Sequence, residues 1–341
     1  MPEHRLTEFL ARLVRRENLT RAEAFELLQA LLDAEATDAQ IAGALVSLAA
    51  KGETVEELTG MAEGLRSQAV RLVCKHRCFI DTAGTGSSRA KTFNISTAAA
   101  FVIAGAGLPV AKHGNRAASS KAGSADLLTA LGVNVSAIPL VSENALEEIG
   151  ICFMFAPLYH SATARVAGIR RQLGIHTTFN LLGPMSNPAG APRQIIGVWR
   201  EDLAEKLAQV LLELGTERAW VVHGEDGLDE ITLAGKTFVA EAHDDGVKTF
   251  EIGPGDFGFE VRTLEHLRGG DAEANARIVG DVLAEKRRDE ARALVVMNAA
   301  AALLLGGVAG DLREGAKIAG ESIDSGAARK KLELLIEATS S

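Results

Sequence analysis

Tyrosine occurs once in this sequence of 341 residues, aromatic residues make up only 4%, and there are three cysteines and eight prolines. Each scarcity excludes something. Few aromatic faces leave little for bases to stack on, which argues against a single-strand nucleic-acid binder. The formal charge of −9, from Lys+Arg 36 against Asp+Glu 45, has the wrong sign for a phosphate-backbone binder, although a local basic patch survives inside an acidic whole. Cys74, Cys78 and Cys152 are odd in number and form no C-x-x-C, so a reducing compartment suits them better than a disulfide framework. Cys74, His76 and Cys78 would share one face of a strand as potential metal ligands, but no fourth ligand is signalled nearby. The start, Met1-Pro-Glu-His-Arg-Leu6, lacks the basic and continuously apolar regions of a signal peptide, and the expected location is cytoplasmic.

What is present is a composition for a folded core: 47% hydrophobic, 24% charged, with 34 glycines. The length allows two domains. One apolar tract, Ala293 to Gly310, is as long as the shortest membrane-spanning helices. Its alanine richness, central Asn298 and closing Gly306-Gly307 instead predict a buried helix packed closely on its neighbours.

From Leu6 to about Val70 the pattern is helical, with caps expected at Thr20, Thr37 and Thr54 and a capping box between Thr54 and Glu57. Beyond Leu72 the order becomes strand, loop, helix, strand, loop, helix. Strands are expected at 78–81, 109–112, 194–199 and 218–223, and helices at 96–106, 124–131 and 202–214. That alternation predicts a mainly parallel sheet with its loops gathered at the carboxyl ends of the strands. The stretch from His160 is expected to be helical and then irregular, ending in a turn at Gly183-Pro-Met-Ser-Asn-Pro188.

Three loops could carry chemistry. The first, Gly84-Thr-Gly-Ser-Ser88 with Arg89, Lys91, Thr92 and Asn94-Ile-Ser-Thr97, offers backbone N–H groups and hydroxyls at a helix N-terminus, which suits an anion. A plain glycine turn with a cap accounts for it equally well. The second, Lys112-His-Gly-Asn-Arg116 running through Ser119-Ser-Lys-Ala-Gly-Ser124, brings cations, an amide and hydroxyls before a helix that Ser124 could cap. A solvated basic loop is the alternative. The third, His223-Gly-Glu-Asp-Gly-Leu-Asp-Glu230, ends in adjacent carboxylates that repel unless a cation lies between them, and hard oxygen ligands beside phosphates suit Mg²⁺. Adjacent acids on an exposed turn are otherwise common.

Together the runs 92–97, 112–116, 119–126, 179–184 with Asn187-Pro188, and 223–230 resemble the anthranilate phosphoribosyltransferase family over nearly the whole chain. The resemblance implies an α/β fold of the nucleoside phosphorylase/phosphoribosyltransferase type: a small all-helical, dimer-forming domain (1–70 plus about 160–185) packed on a larger α/β domain (71–159 plus 186–341). It also implies transfer of phosphoribose from phosphoribosyl diphosphate to anthranilate, with a homodimer as the assembly. The family's donor-binding positions fall on Gly84, Ser87, Ser88, Thr92, Asn94, Ser96, Thr97, Lys112, Asn115, Ser119, Ser120 and Ser124. Its magnesium ligands fall on Ser96, Asp229 and Glu230, and its anthranilate contacts on Gly84, Asn115, Arg170, Gly183 and Pro184. No residue is assigned as catalytic acid or base.

Two departures stand out. The family's first loop usually reads Gly-Thr-Gly-Gly-Asp-Gly, so Ser87 and Ser88 replace a glycine and a carboxylate while Arg89 and Lys91 add positive charge. We expect these hydroxyls and cations to contact the diphosphate directly. His176 stands where arginine is expected, near the acceptor channel, although a histidine that simply packs on the interface accounts for it better. Competing readings are a paralogue using another aromatic acceptor, a pyrimidine nucleoside phosphorylase relative, and a non-catalytic nucleic-acid binder on the same fold.

Overall fold

The computed structural model describes residues 5–86, 92–117 and 121–340. Four helices open it: α1 (Arg5–Val14), α2 (Arg21–Leu32), α3 (Asp38–Lys51) and α4 (Val55–Ser67). The threonines expected as caps each complete a capping box. Thr20, Thr37 and Thr54 accept from the backbone N–H of Glu23, Gln40 and Glu57, whose side chains accept from the threonine N–H in return. Helices α2 and α4 touch backbone to backbone, since a Cβ on Gly60 would lie 2.0 Å from the Arg21 carbonyl oxygen.

The rest alternates as β1 (Ile80–Gly84), α5 (Ile95–Gly105), β2 (Val110–Gly114), α6 (Ser124–Ala130), α7 (Pro139–Ile149), β3 (Ile151–Phe155), α8 (Ala156–Tyr159), α9 (Ala164–Leu173) and α10 (Thr178–Met185). It continues with β4 (Arg193–Gly197), α11 (Ala204–Glu213), β5 (Arg218–Gly224), β6 (Thr237–His243) and β7 (Gly246–Ile252). Helices α12 (Ala272–Leu283), α13 (Glu290–Leu305), α14 (Leu312–Asp324) and α15 (Ala327–Thr339) close it. The sheet runs β3-β2-β1-β4-β5-β6-β7. Strands β1 to β5 pair in parallel, and β6 and β7 add an antiparallel edge.

Two apolar cores lie on the two sides of this sheet, and alternation along the strands divides the side chains between them. Ile195, Trp220 and Val222 enter a core built around α5 and α13. Ile196, Ala219 and Val221 enter the other, with α1 to α4, α11, Val166 and Ile169 of α9, and Phe179 and Leu182 of α10. Helix α13 is buried almost throughout, as its composition predicts. No helix among the described residues is long and apolar enough to cross a membrane.

Several expectations need correction. Residues 71–78 are not a strand, so Cys74, His76 and Cys78 share no strand face, and His76 Nε2 instead hydrogen-bonds the Leu146 carbonyl at 3.1 Å. Gly183 and Pro184 lie inside the last turns of α10, not in a turn. A proline so close to a short helix's end interrupts little of its hydrogen bonding. Gly123, not Ser124, is the N-cap of α6: Asp126 accepts from the N–H groups of Gly123 and Ala117, and Ser124 Oγ donates to the Asn115 carbonyl at 3.3 Å.

Candidate active site

Strand order reverses between β1 and β4, so the loops that follow them diverge and leave a crevice at their carboxyl ends. Gly84 and Gly197 end the two strands and pair in register. The third loop lies over both. A Cβ on Gly197 would meet the Asp229 carbonyl oxygen at 1.6 Å, and one on Gly84 would meet Asp229 Oδ2 at 3.2 Å. Thr85 closes the corner by donating both its N–H and its hydroxyl to the Gly197 carbonyl, at 2.9 and 3.0 Å. The crevice opens into a cavity of about 580 Å³.

A charged cluster lines this cavity. Glu230 Oε1 accepts the backbone N–H of Ser96 at 3.1 Å, which ties the third loop to the first turn of α5. Burial, and then repulsion from Asp229, push the Glu230 carboxyl up to about 8. Lys112, buried on β2, donates to the carbonyl of Thr82. Its own burial lowers its pKa while Asp81 and Glu230 hold it up. Asp81 is wholly buried and accepts from the His113 N–H at 3.1 Å and from Asn187 Nδ2 at 2.7 Å, yet burial still pushes it up to about 6.

Arg170 lines the same cavity; it donates to Asn180 Oδ1 at 3.0 Å, and its guanidinium lies over the Phe179 ring. Asn180 Oδ1 also accepts the Thr177 N–H, so the start of α10 fixes the arginine's direction. Arg170 Nε is buried without a partner, and burial depresses the guanidinium's pKa. His176 stacks on Trp199 at the rim, ring centroids 4.6 Å apart. His113 and His160 lie 5.2 Å apart, each with one unpaired ring nitrogen, and burial followed by the charge of His160 pushes His113 down to about 3.

One cavity is therefore lined by Gly84, Thr92, Asn94, Ser96 and Thr97 of the first loop, Lys112, Asn115 and Ser124 of the second, Asp229 and Glu230 of the third, and Arg170, Gly183 and Pro184. Ser87, Ser88, Ser119 and Ser120 lie outside the described residues. Sequence reasoning missed His160, Asn180, Gly269, Gly270 and Asn275, which line the same cavity. The pair Gly269-Gly270 immediately before a helix was the one available signal. Among the described residues no group of three or more His, Cys, Asp and Glu side chains is placed to hold a metal.

Comparison with known proteins places this geometry. Residues 7–69 match the glycosyl transferase family helical bundle domain, and 76–329 match the same family's a/b domain. The anthranilate phosphoribosyltransferase of Desulforamulus reducens is 49% identical over 332 residues, covering 97% of this chain and 96% of the relative. The crystal structure of anthranilate phosphoribosyltransferase from Thermus thermophilus superposes with a TM-score of 0.91 at 38% identity, over 97% of this chain and 99% of that one. The Saccharomyces cerevisiae enzyme in complex with PRPP and Mg superposes with a TM-score of 0.90 at 28% identity, over 98% of each chain. With likeness in sequence and in backbone running almost end to end, the chain belongs to the anthranilate phosphoribosyltransferase family.

Proposed function

We infer that the protein transfers the 5-phosphoribosyl group of phosphoribosyl diphosphate to anthranilate, giving N-(5-phosphoribosyl)anthranilate and diphosphate in tryptophan biosynthesis. The observation that carries the reading is that one cavity is lined both by a carboxylate pair beside a buried lysine and by a half-buried guanidinium whose Nε has no partner. The first group suits a metal-bound diphosphate; the second suits an aromatic carboxylate, for which Arg170 supplies a bidentate fork. In the transfer the bond from the ribose anomeric carbon to diphosphate breaks with its electron pair on oxygen. The anthranilate nitrogen forms the new bond and releases a proton.

The donor set fits magnesium. Two carboxylates and the Ser96 hydroxyl are too few for an all-protein cage, and Mg²⁺ keeps waters and substrate oxygens among its ligands. Burial and Asp229 push the Glu230 carboxyl up to about 8 even with Lys112 drawing it down, which marks a site with less positive charge than its two carboxylates call for. When bound to Asp229, Glu230 and Ser96, the ion would stabilise negative charge on diphosphate. Lys112 adds a buried amino group to this cluster, whose charged form Asp81 and Glu230 favour against its burial. Asn94, Thr92, Thr97, Ser124 and Asn115 supply polar groups along the donor, as would Ser87, Ser88, Ser119 and Ser120. Aromatic amines are nucleophilic without deprotonation, so Arg170, Asn115 and the Gly183-Pro184 end of α10 act by orienting the acceptor.

Our reading treats residues 1–70 with about 160–185 as one helical unit, supported by the core they share. It also makes the protein a cytoplasmic homodimer through that unit, supported by Val14 of α1 and Val46 of α3, which are 70% and 40% exposed. A fluorescence assay of anthranilate consumption with phosphoribosyl diphosphate and Mg²⁺ tests the function. Consumption that requires both is expected; a folded chain with no turnover would remove the reading.

A further inference from the structure

Asn94 occupies the N-cap position of α5, and asparagine is among the residues that cap helices best, yet its side chain makes no capping hydrogen bond. It is committed elsewhere. Asn94 Nδ2 donates to the Ala122 carbonyl at 3.2 Å, across to the end of the second loop. Asn94 Oδ1 accepts from Asn275 Nδ2 at 3.1 Å, and Asn275 Oδ1 accepts the Gly270 N–H at 2.9 Å. Both ends of the Asn275 amide are thereby fixed, and the residue is only 3% exposed. One residue earlier, a Cβ on Gly269 would lie 2.1 Å from the Thr92 carbonyl oxygen, so this backbone lies directly against the first loop.

We propose that Asn275, with Gly269, is a positioning residue for the phosphoribosyl diphosphate site: it holds Asn94 as a strut between the first and second loops. The inference rests on the donor site read above. A relay of two amides, Asn275 buried on α12 and Asn94 half-buried before α5, reaches the end of the second loop, and each amide has its donor and acceptor used. Removing Nδ2 of Asn275 leaves Asn94 Oδ1 without that partner and frees its amide to turn toward the vacant helix cap, 28 residues in sequence from Ala122. The two loops then lose their common spacing, and the donor, which touches both, loses its preformed seat.

Calorimetry with phosphoribosyl diphosphate and Mg²⁺ reads the proposal on the full-length chain, with steady-state kinetics and thermal melts beside it. Asn275→Ala and Asn275→Asp are each expected to weaken donor binding about tenfold while the anthranilate KM stays within about twofold. Gly269→Ala, which presses on Thr92, is expected to do the same from the other side of the strut. Because Asn275 acts through Asn94, the double variant Asn94→Ala/Asn275→Ala should bind the donor about as well as Asn94→Ala alone. A purely structural asparagine would lower the melting temperature and depress kcat without this split. Donor affinity unchanged in the Asn275 variants, or additive losses in the double variant, would overturn the proposal. Wild-type chain that binds the donor but does not consume anthranilate would sink the acceptor assignment alone; wild-type chain that fails to bind the donor would sink both.

Discussion

The space that a side chain on Gly197 would fill is taken by the backbone of Asp229, whose carbonyl oxygen would stand 1.6 Å from the missing Cβ. A strand-ending glycine on β4 thus sets the height of the carboxylate pair above the sheet. Gly197→Ala is expected to lift the third loop and lower kcat/KM about a hundredfold, with the Mg²⁺ requirement raised in parallel. Magnesium titrations of activity check this; an unshifted magnesium dependence would contradict it.

Proton and metal compete for Glu230. Its carboxyl is raised from 4.5 to about 8, so between those limits the folded chain holds a proton that the unfolded chain has released. The metal-free fold therefore loses this stabilisation progressively as pH rises from about 4.5 to about 8, where the loss is complete. Magnesium needs the ionised form, so the protection it gives against thermal unfolding should grow from about pH 6 to about pH 8. Melts with and without Mg²⁺ should show that widening gap, and Glu230→Gln should abolish it.

Arg170 is aimed by Asn180, and the two should differ in degree. Arg170→Met is expected to raise the anthranilate KM about a hundredfold and to erase the preference for anthranilate over aniline. Asn180→Ala should raise the same constant about tenfold and leave the donor KM unchanged. Equal effects on both substrates would place Arg170 outside the acceptor end.

Asp81 joins β1 to the backbone of His113 and to Asn187, without touching solvent. Asp81→Ala leaves two buried donors unmatched and is expected to cost about 3 kcal/mol in urea denaturation. Asp81→Asn, which keeps an acceptor oxygen, should cost less.

The serines of the first loop carry a prediction from sequence alone. Ser88→Asp restores the carboxylate usual in the family and is expected to lower the magnesium concentration needed for half-maximal activity, whereas Arg89→Gly should weaken donor affinity about tenfold. If both constants stay fixed, these side chains do not contact the diphosphate.

The helix caps were legible because each is written within four residues: Thr20 and Glu23 satisfy each other's backbone whatever packs above them. The three loops were legible for a related reason, since phosphate and metal sites need particular residue types in short runs. Gly197 was not, because its value lies in a backbone that arrives 32 residues later, and the sequence carries the expected strand straight through it to Trp199. Asn275 is 181 residues from the amide it holds and carries no local pattern. The β6–β7 hairpin, whose turn is Asp244-Asp245 with Gly246 paired to His243, lies beyond the last strand expected from the sequence, 218–223. Pro184 misled in the opposite sense, since a proline that usually marks a turn sits here within the end of α10.

The core that covers one side of the sheet draws on residues from Leu6 to Ala242. Translation delivers α1 to α4 first, and their apolar faces find their companions on α9, α10, α11 and the middle strands only when more than half of the chain has left the ribosome. A nascent chain halted before α9 therefore displays an unfinished leucine-rich surface. Such stalled chains should be held by chaperones, and synthesis rate through the segment between α4 and α11 should govern how much of the protein reaches its native state.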